Sequence, residues 1–449
     1  MKQLLDTIII GAGISGLTLG YRLTKAGQNI RILEKSSFPG GNIQSKRVDG
    51  WLIEEGPNSL LVNRQQILDL FNELGLQDEM IEASPVCKNR FILRDGALHA
   101  LPTSPFSLIS TKLFTTKDKL RLFKEPWIKP VDFEETVEEF VIRRLGTGFY
   151  EYAIDPFVSG VYAGDPSKLS ARAATKKVYR IEEKHGSLIR GALAMVTGID
   201  RPEGRIKGRM ISFKSGMQTL PKRLAQHLGS SLVFSQEVQA IQHDDKQKIW
   251  HAQTHAGSYS AKNIVLATPA PIVQKLMHPW GAPPDLSAIA YAPLAVCHLG
   301  FKREAVRHPL NGFGCLVPRK EKVGLLGVLF SSTMFPDRTP DPDRVLFTCF
   351  IGGATCPQLV NWSDSDIVEK VSRDIQKLLG TKGDPVFRNL FRHHQSIPQY
   401  TLGHLSRMRN IQNSMCRHEG LSTRANWHDG ISVADCILNS MSATQEIQP

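Results

Sequence analysis

Gly11, Gly13 and Gly16 stand in the spacing G-x-G-x-x-G, directly after the short β-branched run Asp6–Ile10 and at the head of Ile14–Gly27. Such an arrangement can hold a pyrophosphate. Gly11 permits a tight turn, Gly13 lets the backbone approach the phosphates, and Gly16 allows a helix to pack closely on a strand. The first N–H groups of the following helix, over Ile14, Ser15 and Gly16, are free donors at the positive end of its dipole. Glu34, 18 residues beyond Gly16 and followed by Lys35, ends a second apolar run, Asn29–Leu33. Its carboxylate is placed to accept hydrogen bonds from ribose hydroxyls. Strand, glycines, helix, strand and acid in register make a dinucleotide site, and the fingerprint by itself does not choose between FAD and NAD.

The elements behind these residues are legible from their patterns. Asp6–Ile10 is apolar and bounded by glycine, so it reads as a buried parallel strand. Ile14, Leu17, Tyr21 and Leu23 approximate one helical face, and Gly27 ends that helix. Ser231–Ile241, which contains Glu237-Val238, reads as a further strand, and Ile264–Leu266 runs as another into the turn Ala267-Thr268-Pro269. Gly430–Ile437 reads as a helix, with Ile431, Ser432 and Val433 in its first turn.

The chain has 449 residues, 41% hydrophobic and 22% charged, enough to bury a large core in two or three domains. Disorder and fibrous repeats are excluded. A net charge of +12 suggests an anionic partner. No long basic arm, zinc finger or RNA-binding signature is present, so nucleic acid is not expected. Seven scattered cysteines without a C-x-x-C pair fit a reducing compartment, and the adjacent His393-His394 lacks a spaced third ligand, so no metal is expected. The apolar run at Thr7–Ile14 begins after Asp6 and enters a glycine turn, unlike a signal peptide, and no stretch is long and apolar enough to cross a bilayer. A cytoplasmic protein, soluble or peripheral, is expected.

Beyond the fingerprint, Gly40-Gly41-Asn42-Ile43, Asp49-Gly50 and Glu54-Glu55-Gly56-Pro57-Asn58 resemble the flavin amine oxidase superfamily. In that superfamily a second glycine pair approaches the flavin side of FAD. Within it the chain is similar to the oxygen-dependent protoporphyrinogen oxidases. The residues that carry this likeness span nearly the whole chain: Asn89-Arg90-Phe91-Ile92-Leu93, Gly160–Asp165 (GVYAGD), Gly312–Pro318 (GFGCLVP), Leu329–Ser332, Met334–Arg338 and, most diagnostic, Ile397–His404 (IPQYTLGH). The resemblance implies FAD as cofactor, held also by Lys35, Gly40, Gly41, Asn42, Gly56, Pro57, Asn58, backbone groups at Val238, Ala267, and the helix start at Ile431, Ser432 and Val433. It implies a porphyrinogen substrate oxidised with oxygen in three two-electron steps. An apolar disc with two propionates needs apolar walls and a cation, and Arg90 offers a guanidinium fork that matches a carboxylate. By resemblance Leu316, Leu329 and Phe350 sandwich the rings, Gly160 leaves room for the macrocycle, and Asn58 orients the substrate. No general base is assigned.

The implied fold class is α/β: a Rossmann-like FAD-binding domain assembled from discontinuous segments, a mixed-sheet substrate domain, and a mostly helical membrane-associated insertion. The expected boundaries are 1–86 and 205–290 for the first two cofactor segments, with the start of the substrate domain in the first. They continue with 87–204 for the insertion, 291–404 for the substrate domain, and 405–449 for the last cofactor segment and a disordered tail. Leu101–Lys129 mixes aromatic, aliphatic and basic residues and reads as helical, suited to the inner face of an anionic membrane. Helices are expected over Phe133–Leu145 and Leu169–Thr197, with a turn at GVYAGD between them. A homodimer is a family expectation. One segment departs from the pattern: Ser422 and Thr423 replace apolar residues, and Arg424 stands where a small residue is expected, so it must be exposed, paired or reaching a phosphate. Three alternatives follow: coproporphyrinogen oxidation, another oxidase or desaturase acting on an amine or carotenoid, and a non-catalytic flavin or porphyrin-binding homologue.

Overall fold

A computed structural model describes residues 4–197, 204–281 and 283–447. Three distant segments meet in one seven-stranded sheet. Leu5–Ile10 lies parallel between Ile30–Leu33 and Gly257–Leu266, and Leu421–Thr423 adds in parallel to the far end of the latter. The apolar run needs burial on both faces, and it has it: Ile8, Ile9, Ile264 and Val265 are fully enclosed. The helix Ile14–Lys25 packs on this sheet beside the late helix Val433–Ser442.

Ser231–Ile241 differs from the expected single strand. It forms two, Leu232–Val233 and Val238–Asp244, at opposite ends of the strand order. Between them Ser235 takes a left-handed φ of 54°, and Gln236 N–H is captured by the carbonyl of Glu34 at 2.8 Å. The chain therefore crosses the end of the sheet where Glu34 sits.

A second seven-stranded sheet runs in the order Phe387–Pro398, Tyr291–Lys302, Arg344–Gly352, Leu325–Phe330, Gly314–Leu316, Arg90–Arg94, Ala97–Ala100. It is mixed, because Gly314–Leu316 is parallel to Arg90–Arg94 and antiparallel to Leu325–Phe330. Cys297, Leu299, Val328, Phe330, Phe347, Cys349 and Ile351 alternate onto one face, which the helix Asp364–Leu379 covers through Ile367, Val371 and Ile375. The other face is left for the rest of the molecule.

The segment 87–204 is not helical from its start, since the Arg90–Ala100 hairpin is paired into this sheet and helices begin at Pro105. Leu101–Lys129 holds two six-residue helices, Pro105–Ser110 and Thr116–Arg121, and a 3-10 turn, Leu122–Trp127; Ser104 and Thr115 start a new capping box for each helix. Thr136 caps the next helix, so it begins at Val137 and not at Phe133. The helix Asp155–Tyr162 runs through the first half of GVYAGD and stops only at Ala163, which is left-handed. Leu169–Thr197 is broken into three helices, with Gly186 ending one and Ser187 capping the next. A buried ion network ties these pieces together: Arg144 meets Glu125 and Glu182, and Glu125 also accepts from Leu188 N–H at 2.8 Å. No helix among the described residues is long and apolar enough to cross a membrane.

The tail is ordered where it was expected to be loose. A 3-10 turn, Ala443–Gln445, follows the last helix, and Ala443 and Ile447 are buried in the same core cluster as the helix Ile14–Lys25. Gln28 donates to the Ile447 carbonyl at 2.9 Å. Burial of these two apolar side chains offsets part of the entropy of ordering the end. Gln448 and Pro449 lie outside the described residues.

Candidate functional site

The glycine turn is a cradle with no spare room on the protein side. A Cβ on Gly11, whose φ is 105°, would lie 2.8 Å from the Ala267 carbonyl oxygen, and one on Gly16 would lie 2.1 Å from the Gly11 carbonyl oxygen. Gly13 instead faces open space and begins the helix with no side-chain cap and no acid in the first turn. The donors at Ile14, Ser15 and Gly16 are thus left for a ligand, and an anion suits them. Beside them the hydroxyl of Thr268 is buried without a partner. Sequence reasoning passed over Thr268, whose only signal was its place just after a buried strand. Glu34 is buried and locked, with one carboxylate oxygen accepting from Ala12 N–H at 2.7 Å and the other from Ser36 N–H at 2.8 Å. Lys35 is exposed. Val238 opens the edge strand, and Ala267 N–H continues the ladder to Ile10 at 2.9 Å.

The second glycine pair comes down on the first. Gly40 bridges Gly13 and donates to the Ala12 carbonyl at 2.8 Å, while Gly41 sits 3.5 Å, at its Cβ position, from Gly13 Cα. Asn42 is exposed, but its carbonyl oxygen would be 1.9 Å from any Cβ on Gly56, so that turn requires glycine. Pro57 and Asn58 are half-buried, and Asn58 donates to the Gly56 carbonyl at 3.2 Å. At the other end of the chain Ser432 accepts from Asp435 N–H at 3.1 Å and so caps its own helix, a side-chain cap that the first helix lacks.

The second face of the mixed sheet, only partly covered, gathers the residues read as substrate-binding. Registers run Arg90, Gly314, Leu329, Thr348, His298 in one row and Ile92, Leu316, Gly327, Phe350, Val296 in the next. Arg90, Leu316, Leu329 and Phe350 therefore share one face, with the side-chain-free Gly314 and Gly327 between them. The three apolar residues are only half-buried, whereas the opposite face is closed. Arg90 is exposed, lies 5.2 Å over the Phe313 ring, and has no carboxylate partner among the described residues. A Cβ on Gly160 would lie 2.5 Å from Leu316 Cδ2, so the missing side chain lets the helix Asp155–Tyr162 seat against Leu316.

Two histidines unassigned by sequence reasoning sit between this face and the segment Glu54–Asn58. His298, fully buried, holds the Glu54 carbonyl through Nε2 at 3.1 Å, and burial pushes its pKa down to about 4. His393 Nε2 lies 2.7 Å from the Glu55 carbonyl, which explains one of the paired histidines without a metal; no metal-binding cluster exists among the described residues. The Glu54 carboxyl is buried beneath, taking Ser45 Oγ–H at 2.6 Å, Met217 N–H at 2.9 Å and Arg338 at 3.3 Å. Burial raises its pKa to about 7 against the pull of Arg338.

Arg424 is paired rather than aimed at a phosphate. It meets Glu446 of the ordered tail and donates to the Thr423 carbonyl at 2.6 Å, while Leu421–Thr423 keeps its place in the sheet. Glu446 is two-thirds exposed, so the pair is weakly stabilising. Arg424→Ala is expected to keep wild-type flavin content and to lower the unfolding midpoint by no more than about 2 °C. Purification without flavin would show that the guanidinium serves the cofactor after all.

Comparison with known proteins agrees with this geometry. The chain is 33% identical over 473 residues to a chloroplastic protoporphyrinogen oxidase of Nicotiana tabacum, covering 99% of this chain and 85% of the relative. It is 27% identical to a coproporphyrinogen III oxidase of Bacillus subtilis (strain 168), covering 98% and 97%. A crystallised protein from Exiguobacterium sp. 255-15, provisionally assigned to the protoporphyrinogen oxidases, superposes with a TM-score of 0.83 at 25% identity over 99% of both chains. The model of the flavin containing amine oxidoreductases matches residues 14–436, which include the glycine cradle from Ile14, the Gly56 loop and the whole mixed sheet. The chain belongs to the flavin containing amine oxidoreductase family and is a flavin-dependent oxidoreductase.

Proposed function

We propose that this protein binds FAD and oxidises protoporphyrinogen to protoporphyrin with oxygen as acceptor, working at a membrane surface in the cytoplasm. The observation that carries the reading is the half-buried apolar face of Leu316, Leu329 and Phe350 ending at the unpaired Arg90. A flat apolar ring system with carboxylates at one edge matches that face in both shape and charge.

FAD, when bound, supplies the two-electron acceptor that oxygen restores. The product has six hydrogens fewer than the substrate, so three turnovers with three molecules of oxygen leave three of hydrogen peroxide and close the balance. The chain's own residues bind and orient. The donors at Ile14–Gly16 take the pyrophosphate, Glu34 the ribose, and Gly40–Asn42 with Gly56–Asn58 bring backbone to the isoalloxazine. Leu316, Leu329 and Phe350 hold the tetrapyrrole, and Phe350 offers its ring for stacking. The exposed Phe106, Ile109, Phe123 and Trp127, interleaved with lysines, support docking on an anionic bilayer.

The test is porphyrin fluorescence growth in air, above the spontaneous rate, in protein whose bound flavin has been measured by absorbance. Growth in proportion to flavin content is expected. Coproporphyrinogen serves as the second substrate, because its carboxylates also suit Arg90 and the Bacillus subtilis relative is named for it. Faster turnover of coproporphyrinogen would reverse the substrate order, and no turnover of either by flavin-loaded protein would overturn the oxidase. Arg90→Ala should raise KM about ten- to hundredfold, equivalent to about 1.5–3 kcal/mol for a charge-assisted bond, with little change in kcat. An unchanged KM removes Arg90 from the site.

A further inference from the structure

We propose that His298 and His393 are positioning residues, which set the separation between the substrate face of the mixed sheet and the flavin loop Gly56–Asn58 by each donating one N–H to consecutive backbone carbonyls. The proposal rests on the reading of that face as the substrate surface.

The geometry is specific. His298 and His393 stand on neighbouring strands, Tyr291–Lys302 and Phe387–Pro398, where registers place His298 opposite Asn389 and His393 opposite Leu294. Alternation puts both side chains on the face that carries Leu329 and Phe350, and His298 shares a cross-strand row with Leu329 and Arg90. Their acceptors are the Glu54 and Glu55 carbonyls, at 3.1 and 2.7 Å, the last two before Gly56. On its other edge the same segment is zipped to the second glycine loop: Ser45 pairs with Glu54, Glu55 N–H donates to the Gln44 carbonyl at 2.9 Å, and the Asn42 carbonyl presses on Gly56. One short backbone segment is thus held by the cofactor loop on one side and by the substrate sheet on the other.

A carbonyl accepts, so both imidazoles must present N–H at Nε2. For His298 this leaves Nδ1 as acceptor toward Asn389 Nδ2 at 3.5 Å, and burial favours the neutral ring that can do both. His393 is braced edge-on by Phe391 with ring centroids 4.7 Å apart, and Phe391 lies on the same face two residues earlier. Neither histidine sits among the residues read as gripping the substrate. Loosening them should misplace flavin relative to substrate while both still bind, and a displacement of the order of 1 Å costs up to about a hundredfold in rate.

The experiment compares full-length His393→Leu and His393→Gln with wild type, with His298→Gln as a buried companion. The partly exposed His393 is the main probe because its replacement leaves the core intact. His393→Leu is expected to lower kcat about tenfold with KM and flavin content at wild-type values, and to speed amide hydrogen exchange in the peptide holding Gly56–Asn58. His393→Gln, whose amide can donate to the same carbonyl, should restore both. Wild-type kcat and exchange in His393→Leu, or equal impairment in His393→Gln, would overturn the proposal. If the wild type oxidises neither porphyrinogen, the functional reading falls separately, and exchange then decides this one: acceleration in His393→Leu reversed in His393→Gln supports it, and unchanged exchange sinks it.

Discussion

Gly13→Ala should yield a protein that folds and melts like the wild type and purifies without flavin. Nothing in the protein lies within 4 Å of a Cβ at Gly13, and its backbone, at φ −69°, suits alanine. Only a bound pyrophosphate would meet the added methyl, because this is where the helix N-terminus must be approached by backbone alone. The companion Gly16→Val separates ligand from fold. There the Cβ falls 2.1 Å from the Gly11 carbonyl oxygen and 3.2 Å from Ala267 Cβ, so the turn and the strand behind it must part. Flavin affinity should drop at least about a hundredfold in both, or about 3 kcal/mol, while the unfolding midpoint should fall only in Gly16→Val. Flavin absorbance per chain and a melting curve read the two effects. Wild-type flavin content in Gly13→Ala would place the dinucleotide elsewhere.

The second large effect is on stability in acid. Burial holds His298, His404 and His428 down to about 4, from 6.5 in the open chain. These are bases whose folded-state pKa is depressed, so the fold prefers them neutral. Their contribution is present in full above about pH 6.5 and is lost as pH falls toward 4. At pH 5.5 each costs about 1.4 kcal/mol, or roughly 4 kcal/mol together. Glu54 runs the other way. Its pKa is raised from 4.5 to about 7, so the fold prefers the protonated acid, and acidification from pH 7.5 to 5.5 returns about 2 kcal/mol. The net is a loss of about 2 kcal/mol, a large share of a typical margin of about 5–15 kcal/mol. The unfolding midpoint at saturating flavin should therefore be lower at pH 5.5 than at pH 7.5, and Glu54→Gln should enlarge the difference. A midpoint flat across this range would mean that the three imidazoles are not buried as described.

His404 and His428 belong to motifs that sequence reading treated as a family signature and a departure from it. In the structure His404 stacks on Tyr400 with ring centroids 4.1 Å apart, and Thr423 bonds His428. The polar Thr423, unexpected in that strand, thus has a half-buried polar partner. Arg424, the other departure, finds Glu446, which could be foreseen only by knowing that the tail folds back. Side chains separated by long stretches of chain leave no pattern in the sequence from which a contact can be read.

Local chemistry was legible wherever one short segment carries its own reason. The glycine turn, its flanking strands, Glu34 and the second glycine pair follow from backbone demands that only certain residues meet, so their spacing specifies their structure. Likewise the face shared by Arg90, Leu316, Leu329 and Phe350 uses residues that family resemblance had singled out. Three things were decided only by the tertiary structure. Ser231–Ile241 divides because the Glu34 carbonyl captures Gln236, Gly160 lets its helix seat against Leu316, and His298 and His393 reach carbonyls 244 and 338 residues away in the chain. The reason is common to all: turns and periodicity are properties of neighbours in sequence, whereas strand order, register and buried hydrogen bonds depend on which distant segments the core brings together.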